Sequence, residues 1–429
     1  MDQAFAPPRR RITAFMKEQI ATGMMQKDVV IAGGGLVGLT LALALAQGGL
    51  EVAVADPLTR AQMEDERFDG RVSALAFASI RMLIVLGLWE RLEKDAQPID
   101  DILVNEGRVG RGPLPFSLHF DHREIGEPLG HIVENRHIRQ ALFAAVAAEK
   151  RIAFFPGTSA TALAIGEERA VFSLSDGMRI ATPLAIAADG RDSPLREAQG
   201  IGTVGWDYGQ TGIVTTVAHE LPHRGVAYEQ FLPTGPFAIL PMTGNRASLV
   251  WTERTSEAKR ILALPQDRFT AELIARFGTH LGKVEPIGPR WSYPLKLHLA
   301  RSYVKNRFAL AGDAAHTIHP LAGQGLNLGL KDVAALAETV LDAARLGLDH
   351  GRLDVLARYE RWRRFDSFAL AAVTDSMNRL FSNDFLPLKL ARDLGLGIVD
   401  RIPPLRTFFM RHAGGDLGTL PRLLRGEAA

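Results

Sequence analysis

Three clusters hold the residues of this chain whose types and spacing suit chemistry on a phosphate-bearing ligand. They are Gly33-Gly34-Gly35-Leu36-Val37-Gly38, Ala188-Asp189-Gly190-Arg191-Asp192-Ser193 and Gly312-Asp313-Ala314-Ala315-His316. In the first, Gly33 permits a tight turn, Gly35 lets backbone approach a pyrophosphate, and Gly38 allows a helix to pack closely on a strand. The helix N-terminus that follows offers unpaired N–H groups and positive potential to phosphates. Asp56 ends the next strand, where an acid accepts the hydroxyls of an adenosine ribose and would repel a 2′-phosphate. Far downstream, Asp313 is placed to bond a ribityl hydroxyl, with Gly312 letting the backbone come close. A lone glycine hexamer is weak evidence in a chain with 41 glycines. Three motifs in this order, each with its own task on one dinucleotide, point to bound FAD.

After His316 comes Gly323-Gln324-Gly325-Leu326-Asn327-Leu328-Gly329, the start of a long amphipathic helix. A glycine-flanked helix N-terminus aimed at the pyrimidine edge of a flavin stabilises the anion formed on reduction, by about 0.3–2 kcal/mol. His316 and His319 form an HxxH pair, but no third ligand stands at a sensible spacing, so no metal is expected. A second GxGxxG in a strand–helix–strand setting is absent. A pyridine nucleotide would therefore bind transiently, across the cofactor and substrate regions.

The elements that position these motifs are legible in outline. Lys27–Ala32 reads as a buried strand, Leu36–Gln47 as a helix and Glu51–Ala55 as a second strand, a βαβ unit with the glycines at its first turn. Val29 to Leu50 is almost wholly apolar, yet the adjacent glycines and the βαβ register argue against a membrane span. Arg71 opens an apolar helix ending near Leu92, and on spacing alone it reads as a solvated charge. A helix runs from Asn135 through Ala148, and strands alternate with turns from Arg151 to Ile186. Ser193 and Pro194 read as the N-cap and first residue of a helix, which by itself is an ordinary capped turn. Thr211–Val217, Ala227–Leu232, Phe237–Pro241 and Ala247–Thr252 read as strands of a second sheet, interrupted by a helix over Gln266–Phe277. Phe308–Ala311 is a strand, and the helix after Gly323 continues through Leu346. The class is α/β: a Rossmann-like FAD-binding domain, a second mixed or antiparallel sheet forming a substrate domain, and C-terminal helices. The expected divisions are an extension over 1–26, a discontinuous FAD-binding domain over 27–200 and 295–345, a substrate domain over 201–294, and a helical region over 346–429.

Composition sets outer bounds. The chain has 429 residues, 47% hydrophobic and 23% charged, with a formal charge of +2. Such near balance gives no reason to expect a nucleic-acid partner. The absence of cysteine excludes disulfides, thiol nucleophiles and a cysteine-linked flavin, and fits a reducing compartment. Met1 to Gln26 carries Arg9-Arg10-Arg11 but no apolar core, so it reads as a dispensable extension, not a secretory signal. Trp206, Tyr208, Phe231, Trp251 and Tyr293 are candidates to line a substrate pocket, and as single residues fit a core equally well.

Taken together, these residues resemble the single-component flavin aromatic hydroxylases typified by para-hydroxybenzoate hydroxylase, over nearly the whole chain from Lys27 onward. Further motifs are similar to the ubiquinone-biosynthesis hydroxylases of that group. They are Asp69-Gly70-Arg71-Val72-Ser73-Ala74-Leu75, Glu134-Asn135-Arg136, Tyr228-Glu229-Gln230-Phe231 with Gly235–Pro241, Asp375–Ser382, Met410–Gly415 and Leu420–Leu423. The resemblance implies an FAD-dependent enzyme that uses NAD(P)H and O2, through a flavin hydroperoxide, to hydroxylate a polyprenylated phenol. It places Arg71, Pro320, Gly323, Gln324 and Gly325 at the reacting face. It assigns Gly33, Gly35, Gly38, Asp56, Arg71, Arg136, Asp189, Gly190, Gly312, Asp313, Gly323, Gly325, Leu326 and Asn327 to the cofactor, and Asp189 with Arg191 to NAD(P)H as well. Asp56 departs from the glutamate more usual at the ribose position. Such an enzyme would be cytoplasmic and would draw its substrate from the inner face of a membrane. Phe385–Leu390 and Leu394–Phe409, apolar with interleaved lysine and arginine, are the candidate membrane or partner contact. A homo-oligomer and contact with other ubiquinone-biosynthesis proteins are compatible with the resemblance. The competing readings are a hydroxylase of a soluble aromatic acid, a flavin reductase of isoprenoid double bonds, and a flavin-bearing structural subunit of a quinone-biosynthesis complex.

Overall fold

The computed structural model describes residues 24–65, 67–110, 112–319 and 323–381, with 402, 404, 406–407, 410–411, 414–415 and 418–429. Its first layer is a six-stranded sheet in the order Val304–Lys305, Phe308–Leu310, Leu184–Ala187, Val29–Ala32, Val52–Asp56, Ile152–Pro156. All neighbours are parallel except the first pair. The central strands are apolar at every position except the terminal Asp56 because both faces are covered, the usual condition of a parallel sheet.

The helix Leu36–Gln47 lies between two others, Asn135–Ala148 and Gln324–Arg345. That accounts for its unbroken apolar sequence: it is buried all round. Close approach depends on glycine at two points. A Cβ on Gly329 would come within 2.6 Å of Val37, and one on Gly48 within 2.4 Å of Leu341. Among the described residues, no helix is long and apolar enough to cross a membrane.

A nine-stranded sheet forms the second layer. Its path is His316–Thr317, Trp291–Ala300, Thr203–His219, Arg246–Arg254, Gly235–Met242, Val226–Leu232, Asp101–Arg108, Gly112–Asp121, with Val284–Pro286 beside Thr203–His219. Strand alternation gives the sheet two different faces. Ile213, Phe237, Ile239, Leu249 and Trp251 pack on the helices Thr255–Leu262 and Gln266–Phe277 through Ile261, Phe269 and Leu273. The opposite face looks toward the first layer.

Three expectations are corrected. Met25–Gln26 is no part of a free extension: it pairs in parallel with Ile180–Ala181 in a four-stranded sheet. Val72–Leu75 does not begin a helix but pairs antiparallel with Gly130–Glu134. Helix starts only at Phe77 and breaks at Gly87, whose φ is 69°. Asp101–Asp121, assigned to the cofactor region, joins the second sheet instead, with Asp101–Glu106 paired in parallel to Val226–Phe231. In each case pairing with a distant strand overrides the local pattern.

The long helix Gln324–Arg345 carries a carboxylate, Asp332, that is fully buried. Its Oδ2 accepts from the Gly312 N–H at 2.9 Å and bonds His316 Nε2 at 2.6 Å, while Oδ1 accepts from Arg363 Nε at 2.8 Å. Arg363 belongs to the helix Leu353–Phe381, whose Tyr359 hydroxyl donates to Leu310 O at 2.8 Å. Burial pushes the Asp332 carboxyl up, but His316 and Arg363 outweigh it and hold the group below the ordinary aspartate range. Asp332→Ala should lower the unfolding free energy by about 3 kcal/mol, since the buried Arg363 loses its buried partner and keeps only the part-exposed Asp366, and Gly312 and His316 lose their acceptor. The contribution is present above the unfolded aspartate pKa of about 3.9 and is lost as pH falls through the lower folded value. Urea denaturation of both proteins across pH checks this, and a loss below about 1 kcal/mol at neutral pH would contradict it.

Candidate active site

The glycine turn is shaped by sterics that only glycine satisfies. A Cβ on Gly33, at φ 104°, would lie 2.2 Å from Ala188 O, and one on Gly38 would lie 1.9 Å from Gly33 O. Gly35 differs: it is the N-cap of the helix Leu36–Gln47 with no side-chain cap, and nothing lies within 4 Å of its Cβ position. That open cradle before a run of helix N–H groups is suited to a pyrophosphate. Asp56 is 8% exposed and already accepts two backbone N–H bonds, from Gly34 at 2.6 Å and Leu58 at 2.8 Å. It therefore closes the glycine turn as well as standing at the expected ribose position. Ser193 caps the helix Pro194–Ala198 through the Arg196 N–H at 3.0 Å, as its sequence suggests.

Asp189 supplies the second sign of a bound polar ligand. Its Oδ1 is buried with no hydrogen-bond partner, and burial pushes its carboxyl above the ordinary aspartate range. Gly190 beside it, at φ 89°, also faces open space. An orphaned carboxylate oxygen and an uncapped glycine cradle fit an FAD, whose ribityl and phosphate groups would satisfy them.

Between the two layers lies a cavity of about 610 Å³. Arg71, Asp313, Gly323, Gly325 and Leu326 are among the residues that line it. Arg71 is held by strand pairing, its carbonyl accepting from the Asn135 N–H at 2.9 Å. Its guanidinium is half-exposed, bonds Asp69 at 2.8 Å, and stands 5.6 Å from the centroid of Trp291. Burial pushes the Asp69 carboxyl up, but hydrogen bonds and charge from Arg71 outweigh it and hold it low. Gly323, at φ 64°, is the N-cap of the helix Gln324–Arg345 and needs glycine there. Burial pushes the Asp313 carboxyl up, with His316 and Arg191 opposing.

Other expected residues stand elsewhere. Arg136 is bonded to Glu134 at 2.8 Å, and its guanidinium lies 5.6 Å from the Phe68 centroid, away from the cavity lining. Gln324 is likewise outside that lining. The Asn327 side chain is spent internally: its amide donates to Ala74 O at 2.7 Å, and its oxygen accepts from Ala76 N and Ser79 Oγ, both at 2.9 Å. It clamps the long helix to the strand–helix junction over 74–79. Pro320, and most of the basic apolar segments over 385–409, lie outside the described residues.

His316 and His319 take separate paths. His316 belongs to Asp332, whereas His319 is fully buried, with both ring nitrogens unpartnered among the described residues and burial pushing it down to about 4. Sequence reading passed over Asp332, whose only signal was an acid on the buried face of an amphipathic helix. It also gave Glu229 no role, although an acid alternating with apolar neighbours in a strand was visible.

With this geometry in view, comparison with known proteins is direct. The family profile described as an FAD binding domain matches residues 26–372. Ubiquinone hydroxylase UbiL of Rhodospirillum rubrum is 50% identical, over 94% of this chain and 94% of its own length. The 3-demethoxyubiquinol 3-hydroxylase of Escherichia coli is 35% identical, over 90% of this chain and 98% of its own. Among solved structures, p-nitrophenol 4-monooxygenase PnpA of Pseudomonas putida superposes with a TM-score of 0.76. It is 18% identical, over 92% of this chain and 100% of its own, so it speaks for the fold alone. Fold and cradle thus define an FAD-binding flavoprotein of the monooxygenase architecture. The chain belongs to the FAD binding domain family, and within it to the group of the ubiquinone-biosynthesis hydroxylases.

Gly35→Ala should weaken FAD binding about tenfold or more, about 1.4 kcal/mol, while apo-protein stability changes by less than about 1 kcal/mol. Gly38→Ala should destabilise the apo-protein itself, because its Cβ would overlap a carbonyl. Flavin fluorescence titration and denaturant unfolding separate the two, and unchanged FAD affinity in Gly35→Ala would refute the cradle assignment.

Proposed function

We propose that this chain hydroxylates the aromatic ring of a polyprenylated phenol in ubiquinone biosynthesis, with bound FAD, NAD(P)H as reductant and O2 as oxidant. The observation that carries the reading is the single cavity shared by the cofactor-side residues Arg71, Asp313, Gly323 and Gly325 and the apolar face of the second sheet. A ring lying on Val214, Ala238, Leu240 and Val250 is presented to the cofactor side across that space. The two relatives named above carry the same class of activity in their names.

Bound FAD would supply the reduction of dioxygen and the delivery of one of its oxygen atoms to the ring. The protein does the positioning. Gly33, Gly35 and the first turn of Leu36–Gln47 would hold the pyrophosphate, and Asp189 and Asp313 the sugar and ribityl hydroxyls. The uncapped start of Gln324–Arg345 at Gly323 places positive potential beside the cavity, favouring an anionic reduced flavin. The apolar rows of the second sheet exclude water, which otherwise diverts the reaction to peroxide. Arg191, at the cavity edge and 31% exposed, is the cation offered to a transient NAD(P)H phosphate. No separate nicotinamide fold is present among the described residues, so hydride donor and phenol would share this one space.

Purified protein incubated with a short-chain prenylated phenol, NADH or NADPH and labelled O2 should yield a ring product bearing one labelled oxygen atom. Mass spectrometry reads the incorporation. Bound FAD with NAD(P)H oxidation but peroxide as the sole oxygen product, for every phenol tried, would refute the hydroxylase. Labelling of a carboxylated phenol with none of the prenylated one would move the substrate to a soluble aromatic acid.

A further inference from the structure

The second sheet's cavity face is built in rows that run across the strands. Pairing registers Glu229 with Ala238, Ala238 with Val250, and Val250 with Val214. Val104, registered with Glu229 on the other side, continues the row. Gln230, Phe237, Trp251 and Ile213, each one residue along, form the row on the opposite face. Glu229 is therefore the one ionisable side chain in an otherwise apolar row, set into the wall of the cavity. Among the described residues its carboxyl has no hydrogen bond and no ion pair. Its side chain is partly exposed, into the cavity, so the cost of an unpaired charge arises when a bound ring takes that wall out of water. The sheet carries that cost at the wall where an aromatic substrate would lie.

We propose that Glu229 is the acid–base catalyst that accepts the proton of the substrate's phenol hydroxyl. The assignment rests on the phenol-hydroxylase reading above. The phenol O–H bond breaks with its electron pair left on oxygen, and a new O–H bond forms on the Glu229 carboxylate. O2 takes two electrons from NAD(P)H, and the electron-rich ring then forms a C–O bond to one of its atoms, which arrives carrying a proton as the O–O bond breaks. The electron pair of that bond stays on the other oxygen, which leaves as hydroxide, and the ring becomes a ketone. As the ring regains aromaticity, Glu229 returns its proton to the ketone oxygen and the displaced ring hydrogen leaves to water.

The neighbours leave this task to Glu229. Arg71, Arg191 and Lys296 in the same cavity offer N–H donors and no acceptor atom. Tyr293 is pushed up to about 12 by burial, His319 is pushed down to about 4, and His316 is held by Asp332. Asp313 stands on the cofactor side, and Asp192 has an exposed side chain at the cavity edge. Glu106, on the adjacent strand, faces the same side one row away, beside Phe231. Burial alone pushes the Glu229 carboxyl up to about 8. A base near that value is far better matched to a phenol, at about 10, than an ordinary carboxylate. The sign follows: the proton-accepting form grows as pH rises through about 8.

The test begins with holoenzyme and a short-chain prenylated phenol, following ring product across pH 6 to 10. Wild-type kcat/KM should rise with an apparent pKa near 8. In Glu229→Gln that limb should disappear, and kcat at high pH should fall by about 10²–10⁴-fold with KM and FAD content retained. Glu229→Asp should recover part of kcat and the limb. An infrared carboxylic-acid band in the wild type, lost on raising pH through about 8 and absent in Glu229→Gln, reports the same group without turnover. Folded Glu229→Gln with full kcat and an intact limb would overturn the assignment, as would a wild type lacking that band. Wild-type protein that makes no ring product overturns the underlying reading, an outcome distinct from a hydroxylating wild type whose Glu229→Gln variant is unaffected.

Discussion

A single buried carboxylate gathers the parts of this protein that must not move relative to one another. Asp332 reaches the Gly312 amide, the His316 ring and the Arg363 guanidinium at once. These lie respectively on the loop after a sheet strand, at the edge of the second sheet, and on the following long helix. An unpaired aspartate at that depth would be costly, so the three partners are obligatory once it is there. The consequence is geometric. The loop that carries Asp313 and the helix start at Gly323, both in the cavity lining, are referenced to one atom group.

The remaining contacts extend that reference outward. Asn327, one turn and a residue before Asp332 on the same helix, grips Ala74, Ala76 and Ser79. This positions the strand that holds Arg71. Tightly packed glycines at 48 and 329 bring the helix against its neighbour Leu36–Gln47, whose N-terminus follows the glycine turn. One helix therefore sets the spacing between the glycine turn, Arg71 and the loop that carries Asp313, and its core is apolar enough to hold all three rigidly.

Local rules made much of this legible in the amino-acid order, and distant pairing hid the rest. The helices at 135–148 and 266–277 end where their apolar periodicity ends, and Ser193-Pro194 caps as its residue types require. The glycine turn announces itself through residues that no side chain can replace. By contrast, Met25–Gln26, Val72–Leu75 and Asp101–Asp121 take their structure from partners far along the chain, and nothing within each segment names that partner. Side-chain roles divide the same way. Arg71 and Asp313 reach the cavity, whereas Arg136 and the Asn327 amide are committed to protein contacts that depend on the packed fold.

The parallel joint between Asp101–Glu106 and Val226–Phe231 also orders events in time. The strand at 101 leaves the ribosome long before the strand it must lie beside, and the second sheet is incomplete until the chain through 317 has emerged. The cofactor layer has the same delay, since Phe308–Leu310 closes a sheet begun at Val29. Neither layer is a module that folds as it is made; each waits for the other's chain to pass. Loop closure of that length slows folding and leaves apolar edges unpaired meanwhile, a cost that a sequentially built domain avoids.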